Sequence, residues 1–227
     1  MNKYSNFLTV ILVLIIIAIV GIIGFLGFKF YQSTVDKNNS EEFVDVFGNQ
    51  SNKNPNKDNN SSVIPPADED MFEGVEDNEN KNDGSSSSGG GQKYNGYLVS
   101  GTIEIPATNL KCPILAASEY SPKALETSVV ELYGPGLNQV GNTTISGHNY
   151  RNGRFFSNNK KLNVGDKIYI TDLTGKRLTY TIYDKFETTE NDADYMSRDT
   201  QGAIEISLST CTDDSKARLI ILAKANV

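Results

Sequence analysis

The chain has 227 residues, a formal net charge of −7, two cysteines and a single histidine. Its acidic excess is local, because residues 41–91 contain twelve acids and three lysines whereas residues 92–227 contain fifteen of each sign. A protein that binds a phosphate backbone needs a basic face, so this composition argues against nucleic acid as a partner.

The first predicted element is an uncharged apolar run over residues 7–28. As a helix it would reach about 33 Å, enough to cross a hydrocarbon core of about 30 Å. A cleaved signal peptide has a shorter apolar core of about 7–15 residues and ends in a small-residue cleavage site, which this run lacks. We therefore predict an uncleaved transmembrane anchor over residues 7–31.

The orientation of this anchor does not follow from the lysines, because Lys3 precedes the run and Lys29 and Lys37 follow it. The six-residue leading segment and the acidic, Asn-rich stretch after the run favour a cytoplasmic N-terminus, residues 1–6. The sequence thus predicts a single-pass protein of the plasma membrane whose remaining residues lie outside the cell.

Residues 32–92 are rich in Asn, Asp, Ser and Glu and end in a Ser- and Gly-rich run. Such a stretch cannot bury enough apolar surface to offset the entropy of ordering it. We predict a disordered linker that acts as a flexible spacer. An apolar patch at residues 43–47 fits either a transient helix or a solvated linker.

From residue 93 onward, short β-type segments alternate with turn residues. Eight such segments at close spacing are typical of an all-β domain, a closed barrel or a sandwich. Helix is predicted only at 122–127 and 155–162, and residues 93–227 are enough for one domain with its own core. The predicted strands are 102–105, 110–115, 129–133, 143–146, 167–171, 177–188, 203–211 and 218–223.

Three side chains of this domain offer the parts of an acyl-transfer site: Cys211, His148 and Arg218. A thiolate is a nucleophile, an imidazole exchanges protons near neutral pH, and a guanidinium is a permanent cation that favours a thiolate and an oxyanion. Taken singly, each residue has a simpler interpretation as a buried thiol, a structural histidine or a solvated charge. Together they predict catalysis.

The motifs around these residues carry a family resemblance. The chain reads Gly-Asn-Thr-Thr-Ile-Ser-Gly-His-Asn over 141–149, Leu-Ser-Thr-Cys-Thr over 208–212 and Arg-Leu-Ile over 218–220. In order, spacing and strand context this set resembles the sortases, the membrane-anchored cysteine transpeptidases of Gram-positive bacteria. The resemblance covers about residues 96–224.

The resemblance implies a closed eight-stranded barrel with one or two short helices and no required cofactor. It implies that Cys211 attacks an LPxTG-like motif near the C-terminus of a surface protein and forms a thioacyl enzyme, which an amine of a cell-wall precursor resolves. His148 would protonate the leaving amine, and Arg218 would steady the substrate and the tetrahedral oxygen. Ser209, Thr210 and Asn149 are the implied candidates for substrate binding.

The subclass is constrained by what the sequence lacks. The segment 190–202 is too short for the long helix of class B sortases, and no lid motif precedes residue 96, which argues against the pilin-polymerising class C. We therefore expect a class A or class D/E-like enzyme. The alternatives are a pilin-polymerising sortase and a non-catalytic barrel displayed as an adhesion or scaffold module; the order of His and Cys disfavours a papain-like peptidase.

Two further features are open at this stage. Glu187, Glu190, Asp192 and Asp194 form either a solvated acidic loop or, since carboxylates suit the ion, a weak calcium site. Cys112 could form a disulfide with Cys211 in an extracellular domain, but the bond would silence the nucleophile. We expect Cys112 to be a buried apolar residue.

Overall fold

The computed structural model describes residues 3–51 and 91–227. Its first element is the helix α1, Lys3–Ser51. Within α1 the segment Ile11–Phe28 is long and apolar enough to cross a membrane, and none of it is buried against the rest of the protein. The apolar run predicted from the sequence is therefore helical and available to lipid.

The remaining elements form a closed β-barrel. Eight strands follow one another around it in the order β2-β3-β4-β5-β8-β9-β7-β6, and β6 pairs back to β2. All eight predicted strands are present, so the predicted fold class is confirmed. The two-residue β1 pairs with the start of β2. The elements are β1 Lys93–Tyr94, β2 Tyr97–Ile105, β3 Leu110–Leu115, α2 Pro122–Thr127, β4 Val129–Tyr133, β5 Gly141–Ser146, β6 Lys167–Asp172, β7 Arg177–Thr188, β8 Ile204–Cys211 and β9 Arg218–Ala225.

The barrel interior is filled by alternate residues of its strands, as the period of two along a strand requires. On β8, Ile206 and Leu208 are fully buried in this core, and Cys112 of β3 lies in it as well. The second predicted helix, 155–162, is instead a short 3-10 helix, Phe156–Lys161.

A second apolar cluster lies outside the barrel, between α1 and strands β1 to β4. Phe47 of α1 is 3% exposed and packs there with Tyr94, Leu115 and Val130, while Phe43 covers the edge. The rings of Phe43 and Tyr94 are 5.2 Å apart in an edge-to-face arrangement. The C-terminal part of α1 is thus docked on the barrel.

This docking corrects the predicted linker of residues 32–92. Residues 32–51 are helical, because Ser40, Val44 and Phe47 recur at the spacing of one helix face and all three are buried. The Ser40 hydroxyl lies 2.9 Å from the Tyr94 hydroxyl, and Lys111 forms an ion pair with Asp45 at 3.2 Å. The rest of the predicted linker, 52–90, lies outside the described residues.

Candidate active site

The barrel brings the three predicted catalytic residues to one edge. β5 and β8 are parallel neighbours in which Ser146 pairs with Ser209, and the Gly147 amide donates to the Ser209 carbonyl at 3.1 Å. Two residues beyond this pair, the chains carry His148 and Cys211. Since neighbouring strands lie about 4.8 Å apart, these two side chains belong to adjacent strand ends.

Arg218 joins them because β8 and β9 form an antiparallel hairpin. Cys211 and Arg218 are direct register partners, closed by a tight turn in which the Thr212 amide donates to the Ala217 carbonyl at 3.0 Å. Nη1 of Arg218 lies 2.5 Å from Sγ of Cys211. A permanent cation therefore contacts the sulfur directly.

Gly147 allows the end of β5 to reach this position. A Cβ at residue 147 would lie 2.8 Å from side-chain atoms of both Phe156 and Val129, so any larger residue would displace the packed wall. The glycine before the histidine is therefore a packing requirement. Beyond it, the His148 carbonyl accepts a hydrogen bond from the Phe156 amide at 3.2 Å.

His148 is half-buried, and burial lowers the pKa of its imidazole below its ordinary value. The carboxylate of Glu126 opposes this shift, and the cation of Arg218 adds to it. A lowered pKa means that the protonated imidazole releases its proton more readily than that of an ordinary histidine.

Asn149, a predicted substrate-binding residue, connects the two catalytic strands. Its side-chain amide donates to the carbonyl of Cys211 at 3.0 Å and to the carboxylate of Asp213 at 2.9 Å. Asp213 also pairs with Lys160. The loop that carries His148 is thereby tied to the end of the strand that carries the thiol, and the Asn149 amide is used within the protein.

The comparisons with known proteins agree with this geometry. The model of the Sortase domain matches residues 103–226. The chain belongs to the sortase family. A search of curated proteins finds no match.

Among solved structures, a Clostridium perfringens sortase D5 transpeptidase is 27% identical with a TM-score of 0.51, over 57% of this chain and 80% of that one. A lid mutant of Corynebacterium diphtheriae sortase A is 26% identical with a TM-score of 0.52, over 58% and 72%. C. perfringens sortase C, solved with the C-terminal cell wall sorting motif, is 25% identical with a TM-score of 0.51, over 57% and 71%.

This sortase is therefore a transpeptidase of cell-wall protein sorting, the activity predicted from its sequence. The matched structures span classes A, C and D. They leave the subclass open, as the fold itself does. The non-catalytic interpretation of the barrel is not supported by these relatives.

The other two predicted substrate-binding residues lie below the surface of the sortase. Ser209 is 4% exposed, and its hydroxyl accepts a hydrogen bond from the Tyr195 hydroxyl at 3.1 Å. Thr210 is 3% exposed, and its hydroxyl has no partner among the described residues. Both side chains therefore lie inside the protein, on the part of β8 that immediately precedes Cys211.

Sequence reasoning did not assign a role to the residues that fix the loop 189–203 over β8. The Asn142 amide donates to the carbonyls of Tyr195 and Met196 at 3.0 and 2.9 Å. The Arg198 guanidinium donates to Glu205 at 2.6 Å and to Ser207 at 2.6 Å. The available signal was the alternation of polar residues with Ile206 and Leu208 along β8, which indicates a polar outer face.

A groove of about 540 Å³ opens beside this loop. Glu131 of β4 lies on it 8% exposed, and burial raises the pKa of its carboxyl. The lining also includes Tyr133, Asn142 and Arg198. The groove therefore lies at the far end of the β5 and β8 pair from Cys211.

The acidic side chains of residues 187–194 are spread along the end of β7 and the loop that follows it. No three Asp, Glu, His or Cys side chains of the described residues gather around a common point. The Asp192 carboxylate is used locally, since it accepts hydrogen bonds from the Thr188 hydroxyl and from the Asp194 amide. Glu187, Glu190, Asp192 and Asp194 thus remain separate side chains.

Cys112 is buried and Cys211 is half-buried, and neither sulfur forms a disulfide bond. Burial raises the pKa of the Cys112 thiol to about 12. The expectation of a buried apolar cysteine is confirmed.

Proposed function

We propose that this sortase cleaves an LPxTG-like sorting motif through a thioacyl bond to Cys211 and transfers the acyl group to an amine of a cell-wall precursor. The observation that carries the proposal is the contact of the Arg218 guanidinium with Sγ of Cys211. The register of β5 and β8, which brings His148 to the same edge, supplies the proton carrier.

In the acylation step the Cys211 thiolate attacks the scissile carbonyl carbon. A C–S bond forms, and the carbonyl oxygen gains the negative charge that the N–H groups of Arg218 stabilise. The tetrahedral species then breaks its C–N bond. The leaving nitrogen takes a proton from the imidazolium of His148, so the peptide amine departs neutral.

In the transfer step the neutral imidazole of His148 accepts a proton from the incoming amine as its nitrogen attacks the thioester carbonyl. The new C–N bond forms, the C–S bond breaks, and the thiolate returns beside Arg218. Each cycle thus restores the imidazolium that it used. The lowered pKa of His148 suits this exchange, because the imidazolium releases its proton readily.

In this proposal the protein is a single-pass protein of the plasma membrane. The N-terminus is cytoplasmic, α1 crosses the bilayer through Ile11–Phe28, and the barrel lies outside with its surface-protein substrates. The sortase C structure solved with a sorting motif supports a peptide substrate of this kind. Protease added to intact protoplasts should then release a fragment that contains the barrel, and full protection would reverse this orientation.

The reaction is tested with the full chain in detergent micelles, mixed with a library of sorting peptides and hydroxylamine. Hydroxylamine replaces the natural amine, so each peptide that acylates the enzyme yields a hydroxamate of the part before the scissile bond. Cys211→Ala is the control that should yield none. If the unsubstituted chain forms neither hydroxamate nor acyl adduct with any peptide, it is a non-catalytic displayed module.

A further inference from the structure

The side chain of Arg154 packs against the aromatic residues of the loop that follows His148. Its guanidinium carbon lies 5.5 Å from the ring centre of Tyr150 and 5.0 Å from that of Phe155, within the range of a cation–π contact. The Tyr150 ring in turn lies 5.0 Å from the His148 ring. Arg154 therefore contacts the imidazole's immediate neighbour without contacting the imidazole itself.

The same guanidinium reaches the membrane helix. Nη2 of Arg154 lies 3.3 Å from the Asp36 carboxylate of α1 and donates to the Glu126 carbonyl at 3.4 Å. Asp36 is eight residues past Phe28, so at about 1.5 Å per residue it lies roughly 12 Å beyond the apolar segment. One side chain thus connects the helix that enters the bilayer with the catalytic loop.

The loop between His148 and Ser157 holds a strained residue that needs such support. Phe155 has φ +49° and ψ −124°, a conformation that is strained for a non-glycine residue. Two hydrogen bonds hold the loop in this conformation. The Tyr150 amide donates to the Ser157 hydroxyl at 3.0 Å, and that hydroxyl donates to the Arg154 carbonyl at 2.6 Å. The guanidinium of Arg154 covers the Phe155 ring above them.

We propose that Arg154 is a positioning residue for His148 and that Asp36 holds it in place, so that docking of the membrane helix sets the orientation of the catalytic imidazole. The inference rests on the proposed role of His148 in proton transfer. Arg154 acts through Tyr150, which forms one wall of the imidazole site. The other charged or titratable groups that face His148 are Glu126 at the end of α2, Cys211 on β8 and Arg218 on β9.

Loss of the Arg154 side chain has a definite consequence for His148. The Tyr150 ring loses its cover, water gains access to the imidazole, and the pKa of His148 rises toward its ordinary value because burial is what lowers it. The imidazole also gains orientations that cannot reach the leaving nitrogen. The turnover number falls, whereas KM for the sorting peptide stays, since the contacts of Arg154 are with α1, the end of α2 and the loop that follows His148, not with Cys211 or Arg218.

A second ion pair between α1 and the barrel provides a matched control. Asp45 of α1 and Lys111 of β3 lie 3.2 Å apart, a separation close to that of Asp36 and Arg154. This pair joins α1 to β3, whereas that of Asp36 joins α1 to the loop that follows His148. Asp45→Asn therefore removes a helix-to-barrel charge contact of the same kind and leaves the catalytic loop unchanged.

The test uses the full chain in detergent micelles with the imidazole carbon labelled by ¹³C. His148 is the chain's only histidine, so its titration is a single NMR signal that is read without any activity. The variants are Arg154→Gln, Arg154→Lys, Asp36→Asn, the double Asp36→Asn/Arg154→Gln and the control Asp45→Asn. Circular dichroism establishes that each is folded.

We expect Arg154→Gln to raise the midpoint of the His148 titration and to lower kcat about 3- to 10-fold, the range of one cation–π contact. Asp36→Asn should lower kcat about 2-fold, because the pair is exposed, and the double variant should be no worse than Arg154→Gln. Arg154→Lys keeps the charge and should recover part of the loss. Asp45→Asn should match the unsubstituted chain.

The inference is overturned if folded Arg154→Gln keeps both the His148 midpoint and kcat, or if Asp45→Asn shifts them equally. It is also overturned if the variants change only KM. A chain without turnover in any form instead contradicts the proposed function, and the NMR midpoints then still decide whether Arg154 and Asp36 set the environment of His148.

Discussion

The two cysteines of this sortase lie in opposite environments, and the contrast shows how position decides the chemistry of one side chain. Cys112 is in the middle of β3, 1% exposed, with a thiol whose pKa burial raises to about 12. Cys211 ends β8, half-buried, with Nη1 of Arg218 at 2.5 Å from its sulfur. The first is a small apolar core residue, and the second has the surroundings of a nucleophile.

The contrast teaches that charged and titratable side chains of neighbouring strands can reach a thiol at the end of a strand, whereas they do not reach a thiol in the middle of one. In the middle of β3 the main chain of Cys112 pairs with β2 and the side chain faces the core, where the polar groups nearest its sulfur are the neutral Ser128 side chain and Val129 main chain. At the end of β8 the hairpin to β9 and the parallel neighbour β5 bring a cation and an imidazole to the same edge.

The strongest test of the contrast is to remove each thiol in turn. Cys211→Ala should lower peptide turnover by about 10³-fold or more, because loss of a nucleophile removes the whole covalent route. His148→Ala should cost a similar factor, and the double variant should be little worse than either. Turnover is followed by hydroxamate release, and circular dichroism should show an unchanged barrel. Normal turnover by Cys211→Ala would contradict the assignment.

Removal of the cation beside Cys211 should have the next largest effect. Arg218→Gln gives a shorter side chain with one amide donor group and no charge, and we expect a loss of about 10²- to 10³-fold in kcat/KM. Arg218→Lys should fall in between, because an ammonium cannot reproduce the planar fork of donors. Rates of alkylation of Cys211 in the same variants show whether the loss begins at the sulfur. Equal activity of all three proteins would remove Arg218 from the site.

The charges around His148 should move its titration in opposite directions. Glu126→Gln removes an anion that favours the imidazolium, so the pKa of His148 should fall further below its ordinary value. Arg218→Gln removes a cation that disfavours the imidazolium, so the pKa should rise. NMR titration of the single histidine measures both. Shifts of the same sign in the two variants would contradict the described geometry.

The smallest expected effect is that of the buried thiol. Cys112→Ala removes one sulfur from the core and should lower the free energy of unfolding by about 1 kcal/mol, a typical cost for a core substitution. Peptide turnover at 25 °C should not change. Denaturant unfolding and hydroxamate release measure the two quantities, and loss of turnover in a folded Cys112→Ala protein would mean that the two cysteines are not as different as the structure indicates.

The barrel could be predicted from the sequence because apolar and polar residues alternate along its strands, which end at turn residues. The catalytic edge could be predicted because His148, Cys211 and Arg218 stand in distinctive motifs. The docked half of α1 was missed because its many polar residues obscured the helical spacing of Ser40, Val44 and Phe47. Their partners, such as Tyr94, come from the barrel. Such contacts between distant segments are not visible in local composition.

The hydrogen-bond partners of Asn149 and Ser209 could not be predicted for a similar reason. Each carries a polar group that suits a substrate, but the folded chain uses the Asn149 amide for the Cys211 carbonyl and the Ser209 hydroxyl for Tyr195. A sequence shows which side chains can form hydrogen bonds, whereas the fold decides which partners lie within reach.

The central claim is tested most directly by locating the acyl group. The full chain is mixed with a sorting peptide that it turns over, quenched in acid, digested and analysed by mass spectrometry. The account predicts a thioester-linked acyl group on the fragment that contains Cys211, none on the fragment that contains Cys112, and none at all in Cys211→Ala. An acyl group on Cys112, or turnover in the absence of any adduct on Cys211, would contradict it.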